Sequence, residues 1–464
     1  PVVSDPLNGV GIAPKYKWVE LLLGSQTLNY SDLSVGDVPI FGAGINLSPG
    51  KFRFSVFAGN SQFAVGQDTS NGIEGIYSRK IYTAKIGVGE EENSHLYLVT
   101  SLMHDDTNSI TSRPININPE NGLSSSVVYR IKLNKKSFMS GEIAGSAFTR
   151  NSYSKELSNE ETKFLKPVFT SKESSRMDYA SIFKIGRKGK VISFDITGKY
   201  YGDGFKSMGY QFLQSDRMEA TINPRLNLFK SKLNVGGSFG KRVNNLSDTR
   251  GDQTTQTLLS GNLFVQMSKS FSISGDFANF GMKNTQVNDT FKIEMVTNSW
   301  SVSPNLTLMR NMGMHMFNIS FSKNEFTDYN LVNGVLNNND AITSTFSYSL
   351  ALKKKPLIVS TILSHFENES SIGNITSSSA GLTLGYAFFK KKIRVSTGLN
   401  YSQNTINTGA PGTKIATNIG LRYKLKKKTQ IGVKGSINLY KYGSERPGTQ
   451  FQENLFKTFI NYQF

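Results

Sequence analysis

Residues able to do chemistry are sparse in this sequence. There are four histidines, His95, His104, His315 and His365, and no cysteine. His104 is followed by Asp105 and Asp106, a run that could be drawn as part of a metal site or half of a hydrolytic centre. No second histidine stands at ligand spacing and no nucleophile motif accompanies it, so the run reads as the start of a polar loop. Glu90 to Glu92 read as a solvated turn. Asn337 to Asp340 read as a loop tip, since they lack the spacing of a calcium loop. Without cysteine there are no disulfides, thiol nucleophiles or cysteine metal sites. No catalytic residue, metal ligand or cofactor is expected, and the chain does not read as an enzyme.

Charge is the other chemical resource. The 53 Lys and Arg against 34 Asp and Glu give a net charge of +19. Such a balance suits nucleic acid when it forms a stripe or a basic helix. Here much of it lies in short turns, among them Lys135 and Lys136, Lys353 to Lys355, Lys390 to Lys392 and Lys426 to Lys428. Turns of this kind suit anionic lipid headgroups, and no nucleic-acid partner is expected. A second cationic set falls on one face of extended segments: Arg53, Arg130, Lys132, Arg225, Arg394, Arg422 and Lys434, with Lys85, Lys184, Lys199, Lys424 and Lys457. Opposing them are Glu142, Asp178, Asp195, Glu219, Asp276 and Glu453. The set suits either a wet channel with a weak anion preference or cross-strand ion pairs. Both readings stay open at this stage.

The elements that position these residues announce themselves by alternation. Ile393, Val395, Leu399 and Tyr401 share one face while Arg394, Ser396, Gly398 and Asn400 share the other. Ile415, Ile419, Leu421 and Tyr423 then oppose Asn418, Gly420, Arg422 and Lys424. Phe41, Ala43, Ile45 and Leu47 do the same near the start, and Ile192, Phe194 and Ile196 in the middle. Side chains point to opposite sides along a strand, so period two over this length predicts strands with one apolar and one polar face. A mean hydropathy of −0.31 beside 31 Phe, 19 Tyr and 42 Gly fits lipid-facing and water-facing residues that cancel in any average. No apolar run reaches the roughly 18 residues of a membrane helix.

Short basic turns alternate with longer polar loops such as 60–77, 104–122, 150–175 and 324–340. That is the pattern of short periplasmic turns and long outer loops. Counting hairpins predicts about 22 strands, with an error of about two because boundaries are soft. The expected fold is therefore all-β, a transmembrane antiparallel up-and-down β-barrel without an internal plug domain. Residues 1–15 are expected to form a periplasmic segment and 16–464 the barrel, in a mature or trimmed chain with both termini periplasmic. Pro224 and Pro304, lacking ladder donors, are expected to mark bulges or bends. Trp18 and Trp300 suit an interfacial aromatic belt.

The last residues place Phe456, Ile460, Tyr462 and Phe464 on alternate positions, interrupted by Thr458. They resemble the C-terminal β-signal of outer-membrane proteins, which implies recognition by the barrel-assembly machinery. The pieces "PKYKW", "GSQTLNYS" and "GINLSPGKFRF" within 13–59 resemble the opening hairpins of large outer-membrane barrel proteins of the Bacteroidota. That resemblance covers about a tenth of the chain and implies a lineage with roles in uptake, secretion or assembly. It carries over no catalytic residue.

The expected role is a pore or scaffold subunit of a larger envelope complex in the bacterial outer membrane. A lumen of this size needs occlusion, by loops or by a partner. Its expected partners are outer-membrane lipids, the assembly machinery and protein subunits such as outer-membrane or surface lipoproteins. The best internal candidate for occlusion is 150–175, through Phe164, Leu165, Val168 and Phe169. The alternative is a free-standing diffusion porin with weak anion preference.

Overall fold

A computed structural model describes residues 9–462 except 37, 69–71, 73, 158–165, 211–212, 250, 333, 390–391, 427–428 and 444–447. Its described residues form 24 strands of one antiparallel sheet and a single helix of four residues, α1 (Gly334–Asn337). Twenty-two of the strands have nine residues or more, which matches the number expected from the hairpin pattern.

The chain divides into two compact units, 1–223 with 240–255, and 224–239 with 256–464. In the first unit, β1 (Gly11–Ile12) and β2 (Lys15–Tyr16) both pair with β3 (Val19–Thr27). An up-and-down series follows: β4 (Pro39–Leu47), β5 (Phe52–Gln62), β6 (Ser78–Gly89) and β7 (His95–Asp106). It continues through β8 (Asn121–Lys132), β9 (Ser137–Thr149), β10 (Ser175–Lys188) and β11 (Ile192–Tyr201). From β3 onward each strand pairs antiparallel with the next. The unit boundaries fall within β12 (Arg217–Leu228), β13 (Leu233–Asn244) and β14 (Thr254–Gln266).

The second unit repeats the scheme. Its strands are β15 (Phe271–Asn284), β16 (Glu294–Met309), β17 (Gly313–Asp328), β18 (Asn339–Leu352) and β19 (Leu357–Ser370). Then come β20 (Ile375–Phe388), β21 (Ile393–Ile406), β22 (Gly412–Lys426), β23 (Thr429–Lys441) and β24 (Gln450–Tyr462). Each pairs with the next in antiparallel register. The sum of paired positions is the same on both sides of Pro304, so no bulge forms there. What the ladder to β17 loses is the pairing of Ser303 and Pro304 alone. A proline without an N–H removes bonds locally while the hydrophobic alternation holds the register.

Alternation gives every strand two faces. On one lie Tyr82, Ile86, Leu96, Leu98, Val127 and Ile143 in the first unit, all exposed. Leu382, Leu399, Tyr401, Ile415, Ile419 and Leu421 do the same in the second. The opposite face differs between the units. In the second it is largely hydroxyl and amide, with cross-strand bonds such as Ser349 to Ser360 at 2.8 Å, Ser364 to Ser379 at 2.7 Å and Asn318 to Asn305 at 2.7 Å. In the first it is packed. Leu22, Ile40, Phe57, Ile81, Met103 and Phe148 project from strands into a core completed by Leu28, Val35, Val38 and Met208 from connecting segments.

Candidate functional site

The covered face of the first unit, which combines this core with buried polar groups, is the most extensively packed arrangement among the described residues. Two connections build it: 28–38, between β3 and β4, and 202–213, between β11 and β12. Each starts from a serine-centred turn, because a serine hydroxyl offers nearby N–H groups an acceptor outside the sheet ladder. Ser31 Oγ accepts from the N–H of Ser34 at 2.8 Å and of Leu33 at 3.2 Å. Ser207 Oγ accepts from the N–H of Gly209 at 3.2 Å. The turns leave Leu33 and Val35 fully buried. Burial of each such side chain contributes roughly 1.5–3 kcal/mol.

The two segments dock on each other. Val35 and Gly209 form a parallel bridge, and the Gly36 N–H donates to Gly209 O at 3.4 Å. Ser207 Oγ donates to Ser34 O at 2.7 Å, and the Tyr210 hydroxyl donates to Ser31 O at 2.6 Å. A Cβ on Gly36 would run into the end of the Tyr210 ring, so a larger residue here would displace that ring from its bond to Ser31 O. Met208 lies over Gly122, and Phe205 packs with Leu33, Ala144, Ala180 and Tyr201.

Glu142 ties the pair to the sheet. Its carboxylate, only 3% exposed, accepts the Asp32 N–H at 2.8 Å, the Leu33 N–H at 3.2 Å and the Ser31 hydroxyl. A buried carboxylate without such donors would be costly, and three donors offset that cost. Tyr30 follows the same segment inward, and burial pushes its hydroxyl up to about 12. Beneath lies a polar cavity of about 280 Å³, lined by residues that include Tyr30, Lys85, His95, Tyr97, Arg130 and Glu142. Lys85 stands over the Tyr97 ring at 4.4 Å and pairs with Glu91 at 3.4 Å.

Above the segments, ions are matched. Arg79 grips Asp105 through two bonds of 2.7 and 3.0 Å and reaches Glu120 at 2.9 Å; Lys206 joins Glu120 at 2.9 Å. The run His104, Asp105, Asp106 is therefore split by the strand's alternation. Asp105 joins the Arg79 network, His104 stacks on Tyr82 of the apolar face at 6.1 Å, and Asp106 pairs with Lys80 at 2.8 Å. Among the described residues no three His, Asp or Glu side chains converge as metal ligands.

The cations singled out from the sequence divide by unit. Lys184 pairs with Asp195 at 3.1 Å and Lys199 with Glu219 at 3.6 Å. Arg53 turns back to the carbonyls of Gly50 and Phe52, each at 2.8 Å. Arg130 lies over the Phe138 ring at 4.1 Å, and the Lys132 ammonium reaches the Asn93 amide. Arg225, already in the second unit, is exposed on β12. In the second unit Arg394 stands directly opposite Arg422, and Lys434 directly opposite Lys457. Of the C-terminal set, Phe456 and Ile460 are 75% and 71% exposed, opposite Gly435 and Ile431. Phe464 lies outside the described residues, as does the side chain of Tyr462.

Within the segment 150–175, Phe169 is buried, at 1% exposure. Phe164 and Leu165 lie outside the described residues. Val168 lines a surface recess with the apolar-face residues Ala43, Ile45, Val56, Tyr82 and Leu102. Sequence reasoning missed 28–38 and 202–213 because both are short. Their signal was the apolar spacing Leu28, Leu33, Val35 and Val38 between two strands, where a solvent loop would be polar throughout.

No family model and no curated protein matches this chain. Solved structures to which it is similar include OccAB4 of Acinetobacter baumannii, at 12% identity over 83% of this chain and 97% of that one, with a TM-score of 0.36. The ferric-catecholate import receptor Fiu from E. coli K12, in its open form, gives 10% identity over 95% and 78%, with a TM-score of 0.34. A loop-deletion mutant of OmpT, an outer-membrane protein of Vibrio cholerae, gives 12% over 83% and 99%, with a TM-score of 0.29.

Proposed function

We propose that this chain is an integral outer-membrane β-barrel that serves as a pore or scaffold subunit of an envelope complex, with part of its lumen filled by its own segments 28–38 and 202–213. The observation that carries this reading is the pair of unlike faces sustained across the sheet. Leu382, Leu399, Tyr401, Ile415, Ile419 and Leu421 lie exposed together on neighbouring strands β20 to β22. A protein surrounded by water rarely exposes so broad an apolar surface, whereas lipid requires one. The strands are 9–16 residues long from β3 onward. A tilted strand of about 9–11 residues spans a bilayer. With the apolar face toward lipid, the polar face lines the lumen. The short lysine turns then lie at the periplasmic headgroups, with both termini on that side. Lipids, the assembly machinery and envelope protein subunits are its partners, and its work is passage or support rather than catalysis.

Membrane fractionation and planar bilayers test this directly. The chain should sediment with outer membranes and migrate differently in gels before and after boiling. Purified protein should show only small or brief conductance, because the covering segments occupy part of the lumen. Recovery in the soluble fraction would overturn the barrel. A large, steady conductance would overturn self-occlusion and favour a free-standing porin.

A further inference from the structure

We infer that Arg394, Arg422, Lys434 and Lys457 form a binding row for an extended soluble polyanion, one bearing several phosphate or carboxylate groups. The four residues sit on consecutive strands, β21 to β24, and on the same face. Arg394 is opposite Arg422, and Lys434 is opposite Lys457. Arg422 faces Gly432 and Lys434 faces Gly420, so no side chain stands between the two pairs at those positions. Neighbouring strands lie about 4.8 Å apart and the lysine pair is offset by two residues along them, which makes the row roughly 16 Å long. It runs diagonally across the strands, not along one of them.

Like charges placed directly opposite each other in a sheet repel. In the first unit lysines on the corresponding face have no cation opposite them and pair with acids: Lys85 with Glu91, Lys184 with Asp195 and Lys199 with Glu219. Here no such partner is found among the described residues. The one acid on this face of β23 and β24 is Glu453, which accepts from the Asn438 side chain at 2.9 Å. It lies four residues from Lys457, about 13 Å along the strand. All four cations are exposed. Arg422 is steadied by Phe459, whose ring centre is 5.8 Å away. An arginine pair with a planar fork on each member suits bidentate oxyanions, and the two lysines extend the attraction as point charges. Because the row sits on the polar face, a lipid headgroup is not its partner. The ligand class is a chain-like anion that meets several cations at once. This assignment rests on the reading of the polar face as water-filled lumen.

The test uses the full chain in a neutral detergent, titrated calorimetrically with inorganic tripolyphosphate and separately with trigalacturonate. Saturable binding of at least one probe is expected, weakening about tenfold or more between 50 and 300 mM salt, because salt screens exposed charges. A variant carrying Arg394→Gln, Arg422→Gln, Lys434→Gln and Lys457→Gln should lose at least tenfold in affinity while keeping its heat-dependent gel shift. A charge-matched control, with Lys230, Lys232, Lys353 and Lys354 changed to Gln, should bind as the parent does. The preferred probe decides between phosphate and carboxylate. No binding of either probe, or an equal loss in both variants, would overturn the row as a site. Loss of the gel shift in the parent protein would instead overturn the barrel reading, and the titration would still decide the row.

Discussion

Ser31 and Glu142 are 111 positions apart, yet the serine hydroxyl donates to that carboxylate on the packed side of β9. Around this contact the Asp32 and Leu33 amides converge on the same two oxygens. A connection between two strands is thereby fixed against the middle of the sheet by one side chain.

Glu142→Ala should release that connection. Hydrogen bonds to a charged acceptor contribute about 1.5–3 kcal/mol each, and they are partly shared here. A local loss of about 2 kcal/mol would speed amide exchange at 28–38 some 30-fold, while β15 to β24 stay protected. Glu142→Gln keeps one acceptor and should fall between. Exchange in 28–38 that is unchanged in the alanine variant would remove Glu142 from this role.

Gly36→Ala tests the docking of the two segments on each other. The added methyl meets the Tyr210 ring, so about 1–3 kcal/mol of local stability should go. Tyr210→Ala loses its bond to Ser31 O but makes room. The double variant should therefore lose less than the sum of the singles. Strict additivity in protease resistance at 202–213 would mean that the two residues do not meet.

Membrane orientation is open to cysteine labelling, since the chain has no cysteine of its own. Single cysteines at Asn288 and at Lys354 sit on opposite sides in the proposed topology. Impermeant maleimide on intact cells should label the first and leave the second. The reverse pattern would invert the topology.

Phe464→Asp should lower the amount of membrane-integrated, heat-modifiable protein severalfold. The motivation is the alternation of Phe456, Ile460, Tyr462 and Phe464, with Phe456 and Ile460 exposed on the apolar face. A normal level of integrated protein would show that the C-terminal residue is dispensable for insertion.

Much of the architecture follows from sequence alone, because strand alternation is a local property. Each of Ile393, Val395, Leu399 and Tyr401 takes its face from its parity, whatever its neighbours do. Turn chemistry adds the hairpins, so the strand number and the two faces follow without knowledge of any contact. What tertiary structure alone decides is which face is filled, and by what. Leu33 and Val35 look like two apolar residues in a short loop until Gly209, Phe205 and Glu142 are brought beside them. Those partners lie more than a hundred positions away, at distances where local pattern carries no information. The same holds for charge. Lys184 and Arg422 are alike in sequence, each a cation on the polar face of a strand. Register places Asp195 within reach of the first and Arg394 opposite the second, and only that pairing separates a structural ion pair from an unmatched one.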